Sequence, residues 1–157
     1  MITLAQQFRF NEKFLSLLAG DFDALAWDWR PSNTSGNTAH WLVGHVLDTR
    51  LQLLERLGVP VPTEPWQSEY RMGAKPPSSL PGPSPTELVQ RFGAAGESLA
   101  HSIDSLSEAE LAADWGKKVP NGGTSVLDAL RFYHFHETYH LGQIGLLRRQ
   151  MGRPGII

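Results

Sequence analysis

The sequence contains no cysteine at all. That excludes a disulfide framework, thiolate ligation of zinc and a thiol nucleophile, and it leaves the redox compartment undetermined. Long hydrophobic runs are also missing, and no stretch approaches the ~18 apolar residues of a membrane span. The N-terminal segment MITLAQQFRFNEKF is amphipathic, without the apolar core and small-residue cleavage site of a signal peptide. A cytoplasmic protein with no membrane partner is the expectation. Charge of one sign is scarce too. Fourteen Lys and Arg stand against 16 Asp and Glu, a net charge of −2 with no basic run, so nothing favours a nucleic-acid partner. Period-two alternation, internal repeats and low-complexity tracts do not occur. What is present, 41% hydrophobic and 19% charged residues over 157 positions, describes one ordinary globular domain spanning residues 1–157.

Helical periodicity runs through most of the chain. Leu4, Phe8, Phe14, Leu15 and Leu18 predict a first helix over residues 2–18, ended by Gly20. Phe8 and Phe10 lie ~200° apart around its axis, so one of the two aromatics should leave the core side. Residues 19–36 read as loop, with Ser32-Asn33-Thr34-Ser35-Gly36 leading to a cap at Asn37 or Thr38. A second helix follows over residues 38–57, with Leu42, Val46, Leu53 and Leu57 on its apolar side and Gly58 as its terminator. Ser84-Pro85-Thr86-Glu87 opens a third, over 84–105, carrying Leu88, Phe92, Leu99 and Ile103 inward. Ser107 and Glu110 repeat the capping-box spacing ahead of a short helix, 107–113. Residues 115–123 are loop. The last helix opens at Thr124 or Ser125 and continues to Met151. Four long helices with apolar faces pack naturally as an all-α four-helix bundle.

Between the second and third helices lie Pro60, Pro62, Pro65, Pro76, Pro77, Pro81 and Pro83, none of which fits inside a regular helix. A connector of this length has two compatible explanations. It can carry the chain back along a helix, so that helices two and three are parallel, or it can be a lid bearing Trp66, Tyr70 and Met72.

The chemistry gathers at His136-Glu137-Thr138-Tyr139-His140. Residues four apart share a helix face, so both imidazoles can reach one metal ion. Alone this is the H-E-x-x-H pattern of zinc proteases, with the glutamate as general base. The seventeen residues that follow, LGQIGLLRRQMGRPGII, contain no His, Asp, Glu or Cys. Gln143 and Leu146 stand where the longer protease form needs Gly and His. A third ligand must therefore come from upstream. The second helix offers His40 and His45, ~140° apart, so only one can face the pair. His45 lies well inside the helix beside Gly44, which permits close approach; His40 is near the helix start and expected nearer solvent. We prefer His45, against the alternative that it is a hydrogen-bonded core histidine.

Neighbouring residues carry lesser expectations. Glu137 is ~100° from His136 and either orients an imidazole or serves as base to a metal-bound water, the former being favoured. Asp48 is a candidate of the same kind, although a solvated or ion-paired state is the better expectation. Gln143 bonds either a ligand or a neighbouring helix. Gly142 and Gly145 suggest tight helix packing. His134 should face away from the pair, and His101 should be a surface residue. Trp66, Tyr70 and Trp115 either line a pocket or pin their loops to the bundle.

The segment His40-Trp41-Leu42-Val43-Gly44-His45, the proline-rich connector, and His136-Glu137-Thr138-Tyr139-His140-Leu141-Gly142-Gln143-Ile144 together resemble the DinB-like (YfiT-like metalloenzyme) superfamily. The resemblance covers nearly the whole chain, and the C-terminal H-x-x-x-H-x-G-Q-I pattern is its specific part. It implies an up-down-down-up four-helix bundle, often a homodimer, with one divalent ion held by His45, His136 and His140. Zinc or nickel is the metal expected, with iron or manganese as further candidates, since all-nitrogen ligation does not fix the choice. Three imidazoles leave a position for water or substrate. The implied activities are a hydrolase or a small-molecule S-transferase using a low-molecular-weight thiol. The alternatives are a non-catalytic, stress-related metal- or ligand-binding bundle and, less favoured, an H-E-x-x-H protease.

Overall fold

A computed structural model describes residues 2–31, 36–74 and 82–156. The expected Ser32–Ser35 stretch of loop and Pro76, Pro77 and Pro81 of the connector lie outside these residues. The elements are α1 (Leu4–Ala19), α2 (Ala24–Trp27), α3 (Ala39–Arg56), α4 (Pro85–Ser105), α5 (Glu108–Ala112) and α6 (Val126–Gln150), with a 3-10 helix at Pro65–Tyr70 between α3 and α4. No strand occurs among the described residues. A single isolated bridge joins Asp114 to Ser125.

Side-chain caps set most of the helix starts. Thr3 with Gln6, Ser84 with Glu87, Ser107 with Glu110 and Ser125 with Asp128 close reciprocal capping boxes, and Thr38 caps α3 through the Trp41 amide. Each satisfies donors that the first helical turn leaves unpaired. The segment expected as loop before α3 holds one helical turn, α2, capped by Asp23. Its Trp27 is buried and meets the edge of Phe22.

Contacts between the long helices give their senses. Phe8 meets His134, Asn11 bonds Thr138 and the Leu18 carbonyl accepts from Arg148, so α1 and α6 ascend together. Arg9 pairs with Glu97 and Asp104 while Glu12 lies at Gly93, the reversed order, so α1 and α4 oppose each other. His40 reaches the Pro83 carbonyl just ahead of α4 and Arg50 the Phe92 carbonyl within it, so α3 and α4 run the same way. His45 meets His140 whereas Arg56 reaches back to Trp115 ahead of α6, so α3 and α6 are antiparallel. The connector after α3 is therefore a return path as well as a cover.

Residues 39–48 of α3 are buried on every side, because α4, α6, α2 and the 3-10 helix all pack around them. Phe8 is fully buried while Phe10 is 63% exposed, which resolves the two aromatics of α1 as their spacing requires. Gly145 touches Leu18, but a Cβ at Gly142 would meet open space. The tight packing expected at Gly142 does not exist, because that position faces outward. Close approach occurs instead at Gly96, where a Cβ would stand 2.2 Å from a guanidinium nitrogen of Arg50.

Arg50 is itself fully buried. Its Nε and Nη2 bond the two oxygens of Glu137 at 2.7 and 2.8 Å, Nη1 donates to the Phe92 carbonyl and Nη2 to the Phe8 carbonyl. The guanidinium also lies 3.5 Å from the Phe92 ring centroid. Removing one partner of such a pair strands the other charge in the core, at ~3–5 kcal/mol. Arg50→Ala should therefore lower unfolding free energy by at least ~3 kcal/mol in urea titration. Breaking the exposed Arg9–Glu97 pair by Arg9→Ala should move the urea midpoint far less, because solvent screens the pair. Similar losses in the two variants would show that the buried pair does not brace the bundle.

Candidate metal centre

The turn spacing of α6 puts His136 and His140 on the side that faces α3, and α3 presents His45 between them. The His45 and His140 Nε2 atoms lie 3.2 and 3.1 Å from His136 Nε2, and one ligand nitrogen from each of the three rings falls within 4.8 Å of the others. Nitrogens ~2.0–2.1 Å from one tetrahedral ion stand ~3.3–3.4 Å apart, so the spacing suits a shared divalent cation. His45 is buried and the other two are half-buried.

The Tyr70 carbonyl, which can only accept, fixes one of the three tautomers, and the Gln143 amide oxygen turned to the ring sets a second. His45 Nδ1 donates to the Tyr70 carbonyl at 2.6 Å, and His140 Nδ1 donates to Gln143 Oε1 at 2.6 Å. Both Nε2 atoms therefore carry lone pairs directed at the centre. His136 Nδ1 is buried and has no hydrogen-bond partner among the described residues. Burial lowers the pKa of all three rings, and for His136, with its two imidazole neighbours adding to the effect, to about 4. Without a metal, His136 Nε2 can share its proton with the other two nitrogens; with that proton moved to Nδ1, three neutral imidazoles would turn converging lone pairs on one cation. The donor set fits a divalent metal ion.

The cradle of His45 comes from the connector. The Trp41 ring stacks on the imidazole at 4.9 Å and 11°, and its Nε1 donates to the Glu69 carbonyl. A Cβ at Gly44 would lie 2.1 Å from the Tyr70 ring, so glycine is what lets this segment close over α3. The close approach expected at Gly44 is real. Trp66, Tyr70 and Trp115 are all buried and pin their loops. Tyr70 contributes to the centre through its backbone oxygen rather than its ring. Sequence spacing carries no signal for such a carbonyl.

Other expectations need correction. Glu137 does not orient an imidazole. It is buried, and both its oxygens are engaged by Arg50 and Asn11, because its side of α6 faces the bundle axis. His40 is not solvent-exposed but 8% accessible, with Asp28 Oδ1 at one ring nitrogen and the Pro83 carbonyl at the other. Asp48 is 1% accessible rather than solvated or ion-paired, and it accepts from the amides of Gln52 and Gln67. Burial raises its pKa above the ordinary carboxyl value. His134 packs edge-on against Phe8, away from the centre, and His101 is exposed.

A cavity of about 380 Å³ opens beside His45 and His136. Asp48 lies on it, as do Phe132, Tyr133 and three cationic residues, Arg71, Lys117 and Lys118. The centre is thus reachable from outside.

No curated protein gave a significant match to this chain. A family model described as the DinB superfamily matches residues 7–144, which takes in all three histidines and all four long helices in large part. The chain belongs to the DinB superfamily.

Proposed function

We propose that this protein is a metal-dependent enzyme of the hydrolase or small-molecule thiol S-transferase type, with His45, His136 and His140 as the ligands of one divalent ion. Zinc or nickel suits the all-nitrogen set best, and iron or manganese less well. The observation that carries the reading is the convergence of three neutral Nε2 atoms beside an open cavity. A sealed site would favour a non-catalytic metal-binding bundle; this one has room for a substrate next to two of its ligands. Bound there, a divalent ion supplies Lewis acidity toward a carbonyl or thiol. The residues of this chain hold the rings neutral, aim them and screen one side from water. A protease reading loses its general base as well as its downstream ligand, since the Glu137 carboxylate is bonded to Arg50. Screening the metal-loaded protein against activated esters, amides and epoxides, with and without low-molecular-weight thiols, tests the reading. Turnover is expected with at least one class and should vanish in His136→Ala; turnover that survives that change would sink it.

Metal content gives the companion measurement. Elemental analysis should show near-stoichiometric metal in the wild type and in His40→Ala, and a sharp fall in each of His45→Ala, His136→Ala and His140→Ala. Full retention in His45→Ala would refute the ligand set.

The depressed histidine pKa values set a pH dependence for the metal-free protein. An imidazole titrating near 6.5 when unfolded and lower when folded takes up protons preferentially in the unfolded chain. Stability should be fully present above about pH 6.5 and fall progressively toward pH 4. Chemical denaturation after chelator treatment should show this slope, and replacing all three histidines with glutamine should reduce it, His134, also lowered by burial, keeping its share. A slope unchanged in the triple variant would place its origin elsewhere.

Assembly as a homodimer belongs to the same proposal. Phe135, Tyr139 and Leu146 are exposed on one outward stripe of α6, with Phe10 and Leu17 exposed on the adjoining α1. An isologous pairing would cover such a face. Light scattering across micromolar concentrations should give about twice the 17.4 kDa chain mass, falling toward one chain in Phe135→Glu/Leu146→Glu. A constant single-chain mass for the wild type would exclude the dimer.

A further inference from the structure

We propose that the cavity beside the three histidines binds a small organic anion, its carboxylate or phosphate group held at the rim by Arg71, Lys117 and Lys118. This rests on the metal-enzyme reading above and names the substrate class of that site.

The rim is built by two segments whose backbones are already committed to the centre. Arg71 follows Tyr70, whose carbonyl accepts from His45 Nδ1, so the same turn that aims His45 also delivers a guanidinium to the cavity. Lys117 and Lys118 lie between Trp115 and Val119, both buried, in a loop closed by Trp115 N–H to the Thr124 carbonyl and Val119 N–H to the Gly123 carbonyl. Two anchored apolar residues thus leave the lysines nowhere to go but outward over the opening.

Charge pairing separates these three from half of the arginines of the protein. Arg9, Arg50, Arg91, Arg148 and Arg153 each have a carboxylate partner. Arg71, Lys117 and Lys118 make no ion pair or side-chain hydrogen bond among the described residues. The one acid on the cavity, Asp48, is buried and turned to the Gln52 and Gln67 amides. A chain of net charge −2 has no general surplus of cations to scatter here. Three cations face one buried carboxylate, which Arg71 attracts without bonding, and in a concave site the remaining positive charge raises the local concentration of anions. Phe132 and Tyr133 supply an apolar wall between rim and histidines, and about 380 Å³ suits a ligand of fragment size. The matching ligand carries a charged group at one end, an apolar middle, and its reactive atom at the metal end.

The test uses 4-phenylbutyrate, its neutral isostere 4-phenylbutyramide, and 3-phenylpropylphosphonate. Binding is measured by calorimetry on both metal-loaded and chelator-stripped protein. The acid should bind ~10-fold tighter than the amide at low salt in both forms, with the margin shrinking as salt is added. The phosphonate, compared with the acid, ranks the two anionic groups. Lys117→Glu/Lys118→Glu and Arg71→Glu, all at exposed positions, should abolish the margin while leaving metal content and helical circular dichroism unchanged. Equal affinities for acid and amide in the stripped protein would overturn the proposal. So would a margin that charge reversal leaves intact, or one confined to the metal-loaded form, which would assign the carboxylate to the ion itself. Turnover and metal content of the wild type decide the metal-enzyme reading separately, since the rim is measured in the absence of metal.

Discussion

One guanidinium ties the bundle together. Arg50 projects from α3, bonds the Glu137 carboxylate of α6 and takes backbone carbonyls from α4 and α1, while Asn11 of α1 holds the other side of the same carboxylate. A buried charge tolerates no loose neighbours, because every unmade bond costs ~1–3 kcal/mol or more in a low-dielectric core. The arrangement consequently fixes the depth of α6 against α3. Glu137 is the residue next to His136, and Arg50 is little more than one turn beyond His45. A slip of α6 by one turn, ~5.4 Å, would break the ion pair and scatter the imidazoles together. The metal centre inherits its register from the ion pair below it.

The connector completes what the bundle begins. Helices alone can bring three rings together, but they do not decide which ring nitrogen faces the centre. Tyr70 decides it for His45 through a carbonyl, and that carbonyl is in reach only because Gly44 has no side chain to hold the tyrosine off. The stretch of chain between α3 and α4 therefore acts at a distance from its ends, as a return path that lays one peptide group on one imidazole.

Much of this was legible in the residues. The His136 and His140 pair needs only helical spacing, the choice of His45 over His40 an angle of ~140° and depth in the helix, and the capping-box spacing marks the starts of α4 and α5. Failures share a physical cause. The burial of His40 escapes a sequence reading because its cover, Asp28 and the Pro83 carbonyl, comes from outside its own helix. A wheel put Glu137 off the histidine face but could not say that Arg50 would meet it. Glycine at 142 reads like glycine at 96, yet one faces open space and the other a guanidinium. The α2 turn is too short for periodicity to reveal. Lys117 and Lys118 look like solvated loop charges until the loop is seen to close over a cavity.

The His-Glu-x-x-His motif means something different here from what it means in a zinc protease, and the difference lies in what the glutamate touches. In the protease its carboxylate faces the reacting water. Here it faces Arg50 and is spent on structure. The groups that aim His45 and His140 are also uncharged oxygens, a peptide carbonyl and an amide, instead of carboxylates. Neutral partners donate less electron density through the imidazole than an anion would. A divalent ion held by three neutral rings with neutral supports would leave the site a net double positive charge, and Arg71, Lys117 and Lys118 add to the field on the open side. Such a site is matched electrostatically to a negatively charged reactant. For the thiol form of the proposed activity, the lack of a carboxylate base beside the ligands would matter less, because a thiol near pKa 8.5 loses its proton far more readily than water.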